Sequence, residues 1–300
     1  MLQQKAGRAH GDSDDARDAD RAAGGAAVTS RPVLRGVALG AIILWSLGPI
    51  ALIVMASLKP ARDIFIYPPR WLFAPTLENY AGLWLRWPEF FGNLVNSAIV
   101  TLGATALAVA VSGLAGYVYS RFRSRLLTAS AFFLIFVRLI PPIVITLPLF
   151  PVVNFLRIQD THFVLILLYA TFFVSLGTMV MKAFIDQIPR ELDEAALVDG
   201  ASSWQIVVKV MLPIVAQGLI AAAVFVFVFA WNEFLFAFIF TTTRAKTAPL
   251  VLAEIAGAVD GVEWGVLFAA ATVQLVPVLV FVILVQKYLI AGLTAGATKG

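Results

Sequence analysis

Six long apolar runs limit what this chain can fold into. A bilayer core about 30 Å thick takes about 20 mostly apolar residues as a helix. Helix is required because a lone strand would leave its backbone amides without partners in lipid. The composition agrees, because 60% of the 300 residues are hydrophobic and 13% are charged, against about a quarter charged in soluble domains. The sequence therefore predicts an all-α, polytopic membrane protein with six transmembrane helices, at 36–58, 94–119, 127–150, 163–184, 214–240 and 264–289.

The basic residues orient these six spans. Lys and Arg accumulate in cytoplasmic loops, and fourteen of them fall on the side of the N-terminus against seven on the other side. The short loop "SRFRSR", with Arg121, Arg123 and Arg125, is the clearest marker of the inner side. We therefore expect both termini to be cytoplasmic.

The same pattern divides the chain into three segments. Residues 1–31 are small and charged without apolar periodicity, which is typical of a disordered tail. We expect a disordered cytoplasmic tail at 1–31, a six-span domain at 32–290 and a cytoplasmic C-terminal tail at 291–300.

Several functions are excluded by what the sequence lacks. There is no cysteine, and His10 and His162 lie too far apart in the sequence to suggest a metal cluster. No Ser/His/Asp set suggests catalysis, and the absence of a G-x-x-x-x-G-K-[ST] pattern argues against ATP hydrolysis by this chain. The pI near 9.5 comes without a nucleic-acid motif. We therefore expect no metal, no catalytic residue, no bound cofactor and no nucleic-acid partner.

One polar stretch, at about 186–213, interrupts the apolar C-terminal half. In "IPRELDEAALVDGASSWQIVVKVMLP", acidic residues fall where the dipole of a starting helix favours them. Gly200 is placed to end that helix, and Ser202 or Ser203 can cap a second one. The pattern predicts a helix–turn–helix on the cytoplasmic side. On shape alone, it could be a docking element for a partner or an ordinary loop between two spans.

A family resemblance favours the docking element. The run Glu194-Ala195-Ala196, three residues, Gly200, nine residues and then "VMLP" resembles the EAA loop of ABC-type importer permeases, E-A-A, three, G, nine, I-x-L-P. It departs from that signature only in Val210, where Ile is usual. "FAWNEFLFAF" and the end "GLTAGATKG" resemble the maltose-type carbohydrate permeases. The resemblance covers about residues 35–300.

The resemblance implies a set of partners and a coupling role. A second, similar permease, two copies of a cytoplasmic ATPase that hold ATP and Mg, and an external solute-binding protein would complete a transporter in the bacterial inner membrane, surrounded by lipid. The polar stretch would be the coupling loop seated on one ATPase, and the C-terminal tail would reach the interface between the ATPases. The residues implied in coupling are Glu194, Ala195, Ala196, Asp199, Gly200, Leu212 and Pro213. The residues implied at the tail are Gly292, Leu293, Gly296 and Lys299.

Charges inside the spans suggest further sites. Arg138 and Glu233 fall within predicted spans, where charged residues are costly and often functional. Sugars bind through aromatic faces and directional polar groups, so Trp231, Asn232 and Glu233 are candidates for the substrate pathway. Alternatively, Asn232 and Glu233 join spans by hydrogen bonds, or Glu233 reaches the outer interface. Arg138 has a gating, packing or pathway role, in a span that three prolines, at 141, 142 and 148, make prone to kink.

These observations lead to one functional prediction with alternatives. We expect the permease subunit of an ATP-driven importer that moves a carbohydrate inward by alternating access. A polyol or a glycerol-phosphate-like solute is an alternative within the same family. From other classes, a secondary transporter would usually carry more spans or an internal repeat. A membrane enzyme would need clustered His, Asp or Glu.

Overall fold

The computed structural model describes residues 35–259 and 261–297, with side chains to Lys287. Every regular element in these residues is a helix, which confirms the all-α prediction. Four helices are long and apolar enough to cross a membrane, or six if each of two bent helix pairs counts as one span. The helices are α1 (Arg35–Ser57), α2 (Glu78–Arg86), α3 (Glu89–Arg121), α4 (Arg125–Leu139), α5 (Pro142–Phe155), α6 (His162–Ile185), α7 (Glu191–Val198), α8 (Ser203–Ile214), α9 (Ala216–Trp231), α10 (Leu235–Phe240), α11 (Ala248–Ala256) and α12 (Trp264–Ala297).

The chain divides into two units. The first reaches Ala56 and contains nearly all of α1, and the second begins at Ser57. Each unit is described by itself. In the first, α1 is a single 23-residue helix of the length that a bilayer requires.

Helices α3 and α6 form the centre of the second unit and pack closely through small residues. A Cβ on Gly116 would lie 2.6 Å from the Cβ of Met181 and 3.0 Å from the backbone nitrogen of Lys182. Ser112 Oγ donates to the carbonyl of Val174 at 3.1 Å. Glycine at this contact lets the two backbones approach, as is common between transmembrane helices.

The third predicted span is broken rather than continuous. Helices α4 and α5 meet at 98°, and Ile140 between them is extended, with φ −77° and ψ 124°. A residue before proline is disfavoured in the helical region, and Pro141 and Pro142 lack the N–H groups that would continue the ladder. The prolines therefore end α4, so the prediction of one span over 127–150 was wrong in its continuity and right about where it bends.

The fifth predicted span, 214–240, is also interrupted. Helix α8 meets α9 at 77° just after Pro213, and its segment Ile206–Met211 is π-helical. Helix α9 then ends at Trp231, and α10 begins four positions later, at Leu235. The prediction of one continuous helix was wrong because hydropathy does not register the polar pair Asn232 and Glu233 that separates α9 from α10.

The last helix is longer than predicted. The prediction ended the sixth span at 289 and placed a separate tail at 291–300, whereas the backbone of α12 stays helical to Ala297. At the other end of the second unit, α2, the start of α3, α11 and the start of α12 share an apolar cluster that includes Leu83, Phe90, Val251 and Val266. Asn79 Nδ2 donates to the carbonyls of Ser57 and Lys59, both at 2.8 Å, and thereby holds the segment before α2.

Candidate functional site

The polar stretch at 186–213 folds as two short helices joined by a tight turn, as predicted. Helix α7 carries Glu191, Asp193 and Glu194 in its first turn, where the helix dipole stabilises negative charge. Helix α8 begins with a capping box: Ser202 Oγ accepts from Gln205 N–H at 3.3 Å, and the Gln205 side chain accepts from Ser202 N–H at 2.8 Å. The capping box therefore defines where α8 begins, and the acidic first turn favours the start of α7.

Gly200 ends α7 in a Schellman motif. Its φ is +82°, its N–H donates to the carbonyl of Leu197 at 3.0 Å, and Ala201 N–H donates to the carbonyl of Ala196 at 2.9 Å. This is the bonding pattern that glycine supports at a helix end. It reverses the chain within two residues, and the direction of α8 relative to α7 follows from it.

We expect Gly200→Ala to loosen this turn. Nothing lies within 4 Å of a Cβ at this position, so the cost is backbone strain alone, about 1–2 kcal/mol. Limited proteolysis of the purified chain should cut within 186–213 roughly 5- to 30-fold faster. Gly200→Asn is the matched control, because asparagine tolerates this conformation. Equal cleavage of the alanine variant and the wild type would contradict the assigned turn.

A buried ion pair fixes α7 to the end of α3. Arg121 Nε lies 2.5 Å from Asp193 Oδ2, and their side chains are only 8% and 12% exposed. Two further bonds join the same segments, from Arg121 to the carbonyl of Ile188 and from Arg190 to the carbonyl of Ser120, each at 3.1 Å. A displacement of α7 therefore acts directly on α3.

The outward side of α7 combines apolar and acidic groups. Leu192, Leu197 and Val198 are exposed, Val198 at 88%, and Glu194 is exposed as well. Isolated exposed apolar residues are ordinary, but three on an eight-residue helix beside carboxylates form a small amphipathic surface. We call Leu192, Glu194, Leu197 and Val198 together the α7 surface.

The predicted coupling residues do not all lie together. Glu194, Ala195, Asp199 and Gly200 are exposed on α7 and at its end. Ala196 instead packs inward on the cluster around Met181, Ile185, Ile206 and Met211.

Leu212 and Pro213 lie at the far end of α8. Leu212 packs on that cluster and lies 3.1 Å from where a Cβ of Gly113 would be, and Pro213 precedes the bend into α9. The exposed residues of the signature, on α7 and at its end, are therefore separate from its packed residues. The packed residues join the polar stretch to the spans.

The predicted tail residues are only partly described. Gly292, Leu293 and Gly296 lie on the backbone of α12, in a part whose side chains are not described, and Lys299 lies outside the described residues.

Arg138 and Trp231, two of the predicted pathway residues, are held by packing. Arg138 lies in the last turn of α4, and its guanidinium carbon is 5.7 Å from the ring centroid of Phe172, within the range of a cation–π contact. Trp231 is 2% exposed. Its Nε1–H donates to the carbonyl of Gln274 at 3.2 Å, which joins α9 to α12.

Asn232 and Glu233 bond within their own segment of the chain. Asn232 Nδ2 donates to the carbonyl of Val228 at 2.8 Å. The Glu233 carboxylate accepts from the N–H groups of Phe236 at 3.0 Å and Ala237 at 3.4 Å. Glu233 thus caps the start of α10, where unpaired N–H groups and the helix dipole favour a carboxylate. These hydrogen bonds are local, but the side chain of Glu233 also interacts with the Tyr169 hydroxyl on α6. A role of Glu233 in joining two spans therefore stays a prediction.

A network of hydrogen bonds around Asp160, which the sequence did not indicate, lies at the end of the unit opposite α7. We call this network the Asp160 latch. The Asp160 carboxylate, before α6, accepts from four successive backbone N–H groups at 242–245 and from the hydroxyls of Thr242 and Thr243, at 3.0–3.3 Å. Burial alone would raise the pKa of Asp160, but the hydrogen bonds from Arg244, Ala245 and Thr242 outweigh it and hold that pKa well below its usual range. The latch joins the α5–α6 loop to the α10–α11 loop.

We expect Asp160→Asn to destabilise the chain by roughly 2 kcal/mol, because hydrogen bonds to charged groups contribute about 1.5–3 kcal/mol. Thermal unfolding of the detergent-solubilised chain is the measurement. The lowered pKa means that Asp160 stabilises the fold fully above its ordinary pKa of 3.8 and less as the pH falls below it. The difference from wild type should therefore be constant between pH 6 and 8.

Asp63→Asn is the control for the Asp160 variant. The side chain of Asp63 is 13% exposed, and its ion pair with Arg70 is long, at 3.8 Å, with the arginine side chain 61% exposed. A long pair with an exposed partner contributes about 0–1 kcal/mol. Equal effects of the two variants would contradict the latch.

Sequence reasoning missed the residues that hold the polar stretch in place. Arg121 served only as a marker of topology, and Asp193 only as a charge in a helix start. The spacing of charged residues gives no sign that they meet, because 72 positions of the sequence separate them. A weak signal was present, since Asp193 is the one acid of the first turn on the same helical face as Ala196.

Comparison with known proteins agrees with the fold and with the signature. The family model described as "Binding-protein-dependent transport system inner membrane component" matches residues 108–294. The chain is 36% identical over 267 residues to the trehalose transport system permease protein SugB of Mycobacterium tuberculosis, covering 86% of this chain and 94% of that protein. It is 34% identical over 270 residues to the trehalose/maltose transport system permease protein MalG of Thermococcus litoralis, covering 87% and 95%.

A solved structure supports the fold independently. A chain from the crystal structure of a bacterial ABC transporter involved in the import of the acidic polysaccharide alginate superposes with a TM-score of 0.68. The match covers 85% of this chain and 95% of that one at 21% identity. The family model spans the α7–α8 stretch and most of the helices around it, and the two permeases match over nearly their whole length. This chain therefore belongs to the family of inner membrane components of binding-protein-dependent transport systems.

Proposed function

We propose that this chain is the permease subunit of an ATP-driven importer for a carbohydrate. The observation that carries the proposal is the α7 surface: an exposed, capped short helix, fixed to α3 by the buried pair of Arg121 and Asp193. A loop that only connected two spans would need neither exposed apolar side chains nor a buried ion pair that fixes it to α3. Family membership also argues against the secondary transporter, which needs no binding protein.

The partners follow from this role. A second permease of similar fold completes the pathway, two ATPase subunits bind ATP and Mg, and an external solute-binding protein delivers the solute. The chain itself binds neither ATP nor Mg. The α7 surface docks on one ATPase, where the carboxylate of Glu194 faces a basic side chain and the exposed Leu192, Leu197 and Val198 fill an apolar groove.

The mechanism is alternating access driven from α7. Closing of the ATPases on ATP displaces α7, and the Arg121–Asp193 pair carries that movement to α3 and to α6, which packs along α3. The bend between α8 and α9 is a second path into the spans, through the cluster of Ile206 and Met211. Moving a two-state transporter from 1:99 to 99:1 takes about 5.5 kcal/mol of differential binding, and a fixed connection is needed to transmit it.

The proposed class of solute rests on the names of similar permeases. Their names include trehalose and maltose, and a permease of Agrobacterium fabrum, 32% identical over 269 residues, is named for sulfoquinovosyl glycerol. A carbohydrate is therefore favoured, and a polyol or a glycerol-phosphate-like solute is the second candidate. Near the break after α9, Asn232 and the ring of Phe238 are exposed and could contact a sugar, although Asn232 Nδ2 also donates to the carbonyl of Val228.

Co-purification tests the proposal. The tagged full-length chain, expressed from its native operon and extracted in mild detergent, should retain a second six-span permease and two ATPase copies, identified by mass analysis. Addition of the binding protein with candidate sugars should then stimulate ATP hydrolysis. Recovery of the chain alone in several detergents, with solute uptake that persists without ATP, would contradict the proposal.

A further inference from the structure

Helix α4 leaves an open groove beside it at the same end of the unit as α7. None of its residues is buried, and a cavity of about 850 Å³ lies between it and the ends of α3 and α6, beside the hydrogen bond that the Tyr119 hydroxyl donates to Ser130 Oγ at 2.9 Å. Leu127, Ala131 and Ile135, spaced by four residues, place an apolar stripe along the groove. Phe122, Arg123 and Arg125 lie at its end. We call this cavity the α4 groove.

A second cavity adjoins the α4 groove and is mainly polar. It has a volume of about 600 Å³ and shares Tyr119, Arg123 and Lys182 with the α4 groove. Arg190 and Glu191, at the start of α7, also line it. Each volume is in the range of small-molecule sites, about 300–1,000 Å³. Together the two cavities offer an apolar channel with a charged mouth.

Four cationic side chains line the polar cavity against two acidic ones, Asp186 and Glu191, so the charges at this mouth are unbalanced. Lys182 is paired with Asp186 at 2.5 Å, and Arg121 is paired with Asp193. Across the part of the chain that the structure describes, the side chains of Arg123 and Arg125 make no hydrogen bond or ion pair. Two arginines without acid partners beside an apolar channel match a ligand with a negative phosphate and a hydrocarbon chain, because guanidinium binds phosphate through paired N–H groups.

We propose that the α4 groove and the adjoining polar cavity bind one anionic phospholipid. The phosphate lies between Arg123 and Arg125, the rest of the headgroup occupies the polar cavity, and one acyl chain follows the stripe of Leu127, Ala131 and Ile135. Because Arg190 and Glu191 line the polar cavity, the headgroup contacts the base of α7. The bound lipid thereby supports the position of α7, whichever solute is carried.

Native mass spectrometry of the purified full-length chain tests this site. The chain is released from detergent after incubation with equal amounts of phosphatidylglycerol and phosphatidylcholine of the same acyl chains. Wild type should retain phosphatidylglycerol in preference, and Arg123→Gln/Arg125→Gln should bind it roughly 25-fold more weakly, about 5-fold for each arginine. Ala131→Trp, which keeps both charges but fills the channel, should lower retention as well.

Controls separate this site from general attraction to charge. Arg62→Gln/Arg244→Gln removes two exposed arginines from the opposite end and should retain the lipid as wild type does. Millimolar inorganic phosphate should not displace the lipid, because it lacks the acyl chain. Equal retention of the two lipids by wild type, unchanged retention in the double glutamine variant, or displacement by phosphate would each overturn the proposal.

Discussion

Asp193→Ala is expected to cost about 3–5 kcal/mol, because removing one partner of a buried ion pair leaves the other charge uncompensated. Arg121 is 8% exposed in its side chain, so little of its charge would be solvated once the carboxylate is removed. The variant should unfold at a clearly lower temperature and lose the fixed position of α7. Thermal unfolding of the detergent-solubilised chain gives the first effect, and ATPase activity stimulated by the binding protein and sugar gives the second.

Two control variants distinguish the loss of the buried ion pair from the loss of a negative charge alone. Arg121→Met/Asp193→Leu replaces both partners by apolar groups, which is often neutral or stabilising, and should regain most of the lost stability. Asp186→Ala removes an acid from the nearby pair with Lys182, whose side chains are 42% and 37% exposed, and should cost about 0–1 kcal/mol. If Asp186→Ala lowered the stability as much as Asp193→Ala does, the buried pair would contribute no more than an exposed one.

Glu194→Lys is expected to release the ATPase subunits while leaving the chain folded. Glu194 is exposed on the α7 surface, so its replacement leaves the core and the pair of Arg121 and Asp193 unchanged. The lysine would face the basic side chain that the proposal places on the ATPase, and like charges in an interface cost several kcal/mol. Co-purification should recover the chain and its second permease without ATPase subunits.

Glu78→Lys is the control for this variant. Glu78 is an exposed glutamate in the first turn of another short helix, α2, and the change in net charge is the same. It lies at the end of the unit opposite α7, so ATPase recovery should equal that of wild type. Loss of the ATPases from both variants would indicate a general effect of charge, and retention in Glu194→Lys would contradict docking through the α7 surface.

Local signals in the sequence were sufficient for the polar stretch. Gly200 and Ser202 each act through bonds to residues at most five positions away, and the acidic first turn of α7 acts on the dipole of its own helix, so spacing along the chain determines them. The unbroken α3 and α6 were predicted within a few residues for a similar reason, because an apolar run without proline has no alternative structure in lipid.

The breaks in the third and fifth spans needed more than hydropathy. Pro141 and Pro142 were recognised as a place to bend, but a proline in a transmembrane helix often leaves it continuous, and only packing determines an angle of 98°. The end of α9 depends on Glu233 capping α10. In a hydropathy average, one carboxylate among aromatic residues hardly changes the value.

The long-range contacts could not be predicted from one sequence. Asp160 meets the loop at 242–245 across more than 80 positions, and Arg121 meets Asp193 across 72 positions of the chain. Each side chain alone is an ordinary loop or helix-end charge. Their roles come from the packing of α3, α6 and α10, which no local pattern specifies.

A cross-link from α7 tests the central claim most directly. The chain contains no cysteine, so Val198→Cys introduces a single thiol, at a position 88% exposed on the α7 surface. Val259→Cys is the control, at a fully exposed position after α11. With a short thiol-to-amine cross-linker in membranes, the account predicts an adduct with the ATPase subunit from Val198→Cys and none from Val259→Cys. Absence of the ATPase adduct from Val198→Cys, or equal adducts from both positions, would contradict it.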